Sequence, residues 1–201
     1  MRIGVISDTH GLLRPEIAPA LEGVERILHL GDVGKIFILQ ELEAIAPVTA
    51  IRGNVDREGP CSALPETEVV LSEGHYLYML HDLSTLDLDP AAAKFAAVLF
   101  GHTHAPASYT RKGVLYFNPG SCGPRRFQLP VTVGLLSMGE SGKRRLCRLA
   151  PDGRGAHRSI RSLLKSLSCT RSPMNEPSCM PGSGSERLTT ARTLMAIGNH
   201  N

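Results

Sequence analysis

Arg2-Ile3-Gly4-Val5-Ile6-Ser7-Asp8-Thr9-His10 is a short apolar run, rich in β-branched residues, that ends at a carboxylate and an imidazole two positions apart. The run suits a central strand buried on both faces. At its end, Asp8 and His10 offer an oxygen and a nitrogen that one borderline-soft cation accepts together. Asp8 alone also reads as a turn residue or helix N-cap. The same arrangement returns twice further on. Arg26 to Leu30 runs into Gly31-Asp32, and Val48 to Ile51 into Gly53-Asn54, with Asp56 close behind. Between these runs, Pro15 opens a helix to Leu21. Ile36, Leu39, Leu42 and Ile45 then recur at helical spacing until Pro47. Strands alternating with helices predict βαβ units, hence an α/β chain with a largely parallel sheet whose carboxyl edge gathers the polar groups. His29, one residue before its strand ends, is expected to pack or to support a ligand rather than be one, because neighbours along a strand face opposite sides.

The second half is read as mostly antiparallel. Glu66 to Leu71 and Tyr76 to Leu80 flank Ser72-Glu73-Gly74-His75 as a hairpin, with His75 solvated at its turn. His81 directly follows the second arm, in the register already occupied by Asp8, Asp32 and Asn54. A helical segment from Pro90 to Phe95 leads into the apolar run Ala96 to Phe100 and then Gly101-His102-Thr103-His104. An extended backbone would place both imidazoles on one side, over one ion, whereas a turn would draw on the freedom of Gly101. Strands are expected from Ser108 to Arg111, Val114 to Asn118 and Val131 to Met138. A last one, from Lys143 to Leu149, pairs with its predecessor across a Gly-bounded turn. Asn118-Pro119-Gly120-Ser121 is expected to frame the site with its backbone.

Composition limits the partners. With 201 residues, 42% of them hydrophobic, the chain has enough for one sizeable core. Five cysteines, scattered and without a Cys-X-X-Cys pair, point to a reducing, cytoplasmic setting and away from thiolate chemistry. The N-terminus carries no leader pattern and no stretch is long enough for a membrane span. Residues 1–150 carry a net charge of −1 and 151–201 one of +4, so the overall +3 belongs to the end of the chain, and no nucleic-acid-binding face is expected on the core. Past residue 167 the sequence turns rich in Ser, Pro, Gly and Arg. The expected division is a domain over 1–167 and a disordered tail over 168–201.

Asp8, His10, Asp32, Asn54, His81, His102 and His104 are seven potential ligands at strand ends. Their order (Asp-X-His, Gly-Asp, Gly-Asn, His, Gly-His-Thr-His) resembles the calcineurin-like metallophosphoesterase superfamily over residues 1–149. Gly53-Asn54-Val55-Asp56 and Asn118-Pro119-Gly120-Ser121 resemble its small YfcE-type and MJ0936-like phosphodiesterases, related in fold to Vps29 of retromer. The resemblance implies a four-layer α/β/β/α sandwich of two mixed β-sheets flanked by helices. It also implies two divalent cations, manganese first, with nickel, zinc, iron or cobalt as alternatives. Asp8, His10 and His104 would hold the first, Asn54, His81 and His102 the second, with Asp32 between them. Asp32, Asn54 and His81 would also serve catalysis. The implied reaction is hydrolysis of a small phosphoester, a diester foremost, by a hydroxide bridging the metals. The alternative is a Vps29-like protein-binding scaffold with little catalysis.

Two positions depart from the family pattern. Val55 stands where many members have a histidine able to protonate the leaving group. Asp82 follows His81 where the family usually has Gly, and its side chain could crowd the metals or add negative charge near the substrate phosphate. The loops Pro60 to Pro65, Leu83 to Pro90 and Cys122 to Pro130 are the expected places for substrate selection, and Arg125 and Arg126 read as exposed charges first and as partners of a substrate phosphate second.

Overall fold

A computed structural model describes residues 1–137 and the strand Arg144–Arg148. The expected division of the chain at 167/168 lies outside the described residues. So does the turn expected between the last two strands.

The first half folds as the alternation requires. Strands β1 (Arg2–Ile6), β2 (Arg26–Leu30) and β3 (Val48–Ile51) run parallel, linked through helices α1 (Ile17–Ala20) and α2 (Phe37–Glu43). The hairpin β4 (Thr67–Ser72) and β5 (His75–Leu80) begins a second sheet, completed by β6 (Ala97–Leu99), β7 (Ala107–Arg111) and β8 (Val114–Asn118). The chain then returns to the first sheet as β9 (Thr132–Ser137), antiparallel to β1, and β10 (Arg144–Arg148), antiparallel to β9. Each sheet has five strands and mixed pairing, in the orders β10-β9-β1-β2-β3 and β4-β5-β6-β8-β7. The pairs expected across short turns are antiparallel, β4 with β5, β7 with β8 and β9 with β10, while β6 lies parallel to both β5 and β8.

Alternation along the strands sorts side chains into three apolar layers. Ile3, Val5, Leu28 and Leu30 meet Leu77, Met79, Leu99 and Phe117 between the sheets. Ile6 and Ile27 turn the other way, onto Ile17 of α1, Leu21 just past its end, and Ile38 and Leu42 of α2. Tyr78, Leu80, Val98 and Phe100 point outward from the second sheet, under Leu83, Leu86, Leu88 and Phe95. The fold is therefore the expected α/β/β/α sandwich, with an outer layer over the second sheet made of a 3-10 turn at Leu83–Thr85 and linked turns. The segment from Pro90 to Phe95 is one of those turns, not a helix. Its bonds Ala93 N–H to Asp89 O and Phe95 N–H to Pro90 O do not repeat, and Lys94, at φ 60°, ends it in the left-handed region.

Register decides where the polar residues emerge. Ile6 pairs with His29 and His29 with Ala50, so the segments carrying Asp8, Asp32 and Asn54 leave the first sheet side by side. Met79 pairs with Leu99 and Leu99 with Phe117, so His81, Gly101 and Pro119 leave the second sheet two residues past aligned positions. Both sheets thereby deliver their polar loops to one end of the sandwich. No helix among the described residues is long and apolar enough to cross a membrane.

Candidate metal centre

Backbone pairing continues beyond the strands. Asp8 N–H donates to Gly31 O (3.1 Å) and His10 N–H to Asp32 O (2.9 Å), holding the loop after β1 against the loop after β2. These loops turn tightly. Asp8 (φ 57°), His10 (47°), Asp32 (53°), His102 (67°) and His104 (57°) all lie in the left-handed region. Such a conformation costs on the order of 1–3 kcal/mol per non-glycine residue and persists where surrounding structure imposes it. Five of the seven expected ligands carry it. Gly101-His102-Thr103-His104 accordingly turns rather than extends, and its two imidazoles serve different neighbours.

One group gathers around Asp8. His104 Nε2 lies 3.3 Å from Asp8 Oδ1 and 3.3 Å from His10 Nε2, and His10 Nε2 lies 4.0 Å from Asp8 Oδ1. A second gathers around Asn54. Its Oδ1 is 3.1 Å from His81 Nε2 and 3.0 Å from His102 Nδ1. Asp32 stands between the groups, Oδ1 3.4 Å from His81 Nε2 and Oδ2 3.7 Å from His10 Nε2. Asp8, His10 and His104 can together offer atoms within 4.8 Å of one another, as can Asp8, Asp32 and His81, so Asp8 reaches both halves. All seven residues singled out from the sequence are thus brought together.

The donor set fits divalent cations. Asp8 is fully buried and, among the described residues, neither carboxylate oxygen has a hydrogen-bond partner. A buried anion left so is expensive unless a cation meets it. His81 Nδ1–H donates to Leu30 O at 2.7 Å, which turns Nε2 toward the oxygens of Asn54 and Asp32, where the neutral ring offers its lone pair. Lone pairs converging from imidazole, amide and carboxylate groups make a mixed oxygen and nitrogen site. Burial lowers the pKa of His10, and burial followed by the Arg126 charge brings His104 down to about 4, so both rings are neutral, as ligands must be. Burial pushes Asp8 up to about 6. For His81, burial is outweighed by the Asp32 carboxylate and Leu30 O, which hold the ring above its ordinary value.

Supporting residues explain why the loops hold. Asp56, buried, accepts from the N–H groups of Gly53 (3.0 Å), Val33 (2.9 Å) and Gly34 (2.8 Å), fastening the loop that carries Asn54 to the one that carries Asp32. Its place three residues after Gly53 was the only sequence signal for this role. Asn118 Nδ2 donates to Gly101 O (2.8 Å) and Thr103 Oγ1 (3.1 Å), so its side chain as well as the expected backbone turn frames the site. A Cβ at Gly53 would lie 2.1 Å from Asp32 Oδ1, and one at Gly101 2.0 Å from Ser7 Oγ, so both positions need glycine for close approach. His29 packs, as its strand position predicts. Thr9 Oγ1 donates to Val33 O and accepts from His29 Nε2–H at 2.9 Å, and burial brings the His29 pKa to about 4.

The departures from the family pattern resolve individually. Val55 contributes its backbone, its N–H donating to Asp32 Oδ1 at 3.0 Å, while its side chain is exposed. Asp82 does not intrude between the groups. Its Oδ1 accepts from Ser84 N–H at 2.9 Å, and its Oδ2 lies 3.8 Å from His102 Nε2 on the outer side of that ring. Arg126 reaches the rim, Nη2 3.5 Å from His10 Nε2. His75 is exposed in the hairpin, as expected.

Residues 1–141 match the calcineurin-like phosphoesterase superfamily domain. A probable metallophosphoesterase of Methanothermobacter thermautotrophicus is 38% identical over 152 residues, covering 70% of this chain and 88% of that protein. The phosphodiesterase MJ0936 of Methanocaldococcus jannaschii is 30% identical over 156 residues, 68% of this chain and 92% of that one. A single-mutant Vps29 from Entamoeba histolytica superposes with a TM-score of 0.63 at 22% identity, over 76% of this chain and 95% of that one, a likeness of fold.

Proposed function

Because the chain belongs to the calcineurin-like phosphoesterase superfamily, among its small YfcE- and MJ0936-like phosphodiesterases, we propose that it hydrolyses small phosphodiesters at a centre of two divalent cations. One observation carries this reading furthest: a fully buried carboxylate, Asp8, accepts no hydrogen bond among the described residues and faces the Nε2 atoms of His10 and His104. In this reading Asp8, His10 and His104 hold one cation, Asn54, His81 and His102 the other, and Asp32 lies between the two. Bound there, the cations supply Lewis-acid polarisation of the phosphoryl group and make water nucleophilic at neutral pH. Manganese is the first candidate, and the donor set equally admits nickel, zinc, iron or cobalt.

The chain's own residues orient the site. Leu30 O holds the His81 tautomer, Val55 N–H holds Asp32, and Asn118 holds the turn that presents His102 and His104. Val55 has no proton to give a departing alkoxide, so the reading includes a preference for diesters with good leaving groups. In this reading Arg126, which approaches His10 at the rim, meets a substrate oxygen.

The test is metal analysis of the full chain followed by a panel of mono- and diesters with manganese, nickel and zinc, comparing wild type with Asp32→Ala and His104→Ala. Hydrolysis of nitrophenyl diesters, lost by at least about a hundredfold in both variants, is expected. Undiminished hydrolysis in both would contradict the reading. Full cation uptake with no ester hydrolysed would favour the protein-binding scaffold.

A further inference from the structure

The four imidazoles of the site are not equally enclosed. The side chains of His10, His81 and His104 are 13%, 7% and 7% exposed, whereas that of His102 is 42% exposed. Packing alone therefore restrains His102 least, and its neighbour His81 meets it only edge-on, with ring centroids 5.2 Å apart. A ring used through one nitrogen needs a partner on the other to fix its rotation and tautomer. His81 has Leu30 O for this. For His102 the group beyond Nε2 is the carboxylate of Asp82, 3.8 Å away, while Nδ1 faces Asn54 Oδ1 at 3.0 Å.

Asp82 is itself held in place. Ser84 N–H donates to its Oδ1 at 2.9 Å, and Thr85 donates to its carbonyl through both Oγ1 (2.8 Å) and N–H (3.1 Å). Chain geometry supplies the rest: adjacent residues at the end of β5 send His81 into the site and Asp82 around to the outer edge of His102. The separation exceeds a hydrogen bond, so in this conformation the carboxylate acts on the ring by charge, and a closure of under about 1 Å makes it an acceptor for Nε2–H.

We propose that Asp82 is a positioning residue that acts through His102, keeping the proton on Nε2 and the Nδ1 lone pair aimed at the cation beside Asn54. This rests on the two-cation reading and adds to it a residue outside the seven ligands. It also makes the replacement of the family's usual glycine a gain in metal affinity rather than an obstruction.

The test titrates the metal-free full chain with manganese by calorimetry, in wild type, Asp82→Asn, Asp82→Gly, His102→Ala and the Asp82→Asn/His102→Ala double variant. Asn preserves the acceptor for Ser84 N–H and removes the charge, so the metal-free melting temperature should stay within about 1 °C of wild type. One of the two binding events should weaken by about 10-fold or more in Asp82→Asn and Asp82→Gly, the other remaining unchanged. In the His102→Ala background, Asp82→Asn should add nothing further. Unchanged affinities in both Asp82 variants would overturn the proposal. So would a lower KM for substrate with unchanged cation affinities, which would mean that Asp82 acts by repelling the phosphate. A wild-type chain that takes up no cation would instead overturn the two-cation reading itself.

Discussion

Asp8 concentrates the tension at the site: an acid at φ 57°, wholly buried, with neither oxygen hydrogen-bonded among the described residues. Asparagine tolerates the same backbone conformation, carries no charge, and can donate to His104 Nε2, which lies 3.3 Å from the present Oδ1. Asp8→Asn is therefore expected to stabilise the metal-free chain by about 1–3 kcal/mol. At this chain length that is a rise of roughly 2–4 °C in melting temperature per kcal/mol. Cation uptake at the His10–His104 side should fall in the same variant, so calorimetry and metal analysis should move in opposite directions. A lower melting temperature in the metal-free variant would show that Asp8 is satisfied in some other way. The seven chemical groups were legible because each stands within four residues of the end of an apolar run. Their backbone conformations were not. Nothing in Gly-His-Thr-His distinguishes an extended pair from a turn in which both His102 and His104 take positive φ, because bonds from Asn118, fourteen residues on, fix the choice.

Elements divide into those that hold the fold and those that hold the site. Leu42 of α2 is buried in the layer between the helices and the first sheet, away from the polar loops. Leu42→Ala should cost about 2–5 kcal/mol, read as a lower denaturation midpoint, and leave cation stoichiometry unchanged. Asp56 is the converse case, since its three backbone donors belong to the loops after β2 and β3. Asp56→Ala is expected to cost about 3 kcal/mol and also to weaken cation binding, because Asp32 and Asn54 lose their common tether. Equal cation affinity in that variant would show that the loops hold their geometry without it. The bounds of β2, β3 and β8 were legible from their apolar runs and the punctuation after them. The stretch from Pro90 to Phe95 misled because alanines and a leading proline suit a helix's first turn, while Lys94 closes the turn before a second can form.

For the molecule as a whole, the two sheets matter chiefly because their registers bring loops from sequence positions as distant as Asp8 and His104 to one end. α/β construction followed from the alternation of strands and helices. The parallel placement of β6 beside β8 did not, because a three-residue strand has no periodicity from which pairing can be read. A site assembled from the ends of five strands, β1, β2, β3, β5 and β6, couples cation binding to global stability. Saturation at about a hundred times the dissociation constant should add about 2.7 kcal/mol per independent site, and a chelator should reverse the gain. A melting temperature indifferent to manganese and chelator would argue against coupled binding. The measurement closest to the central claim is native mass spectrometry of the full chain after reconstitution with manganese. Two cations per wild-type chain are expected, with fewer than two in His104→Ala and in Asp32→Ala. A wild-type chain that holds none, or variants that both retain two, would contradict the account.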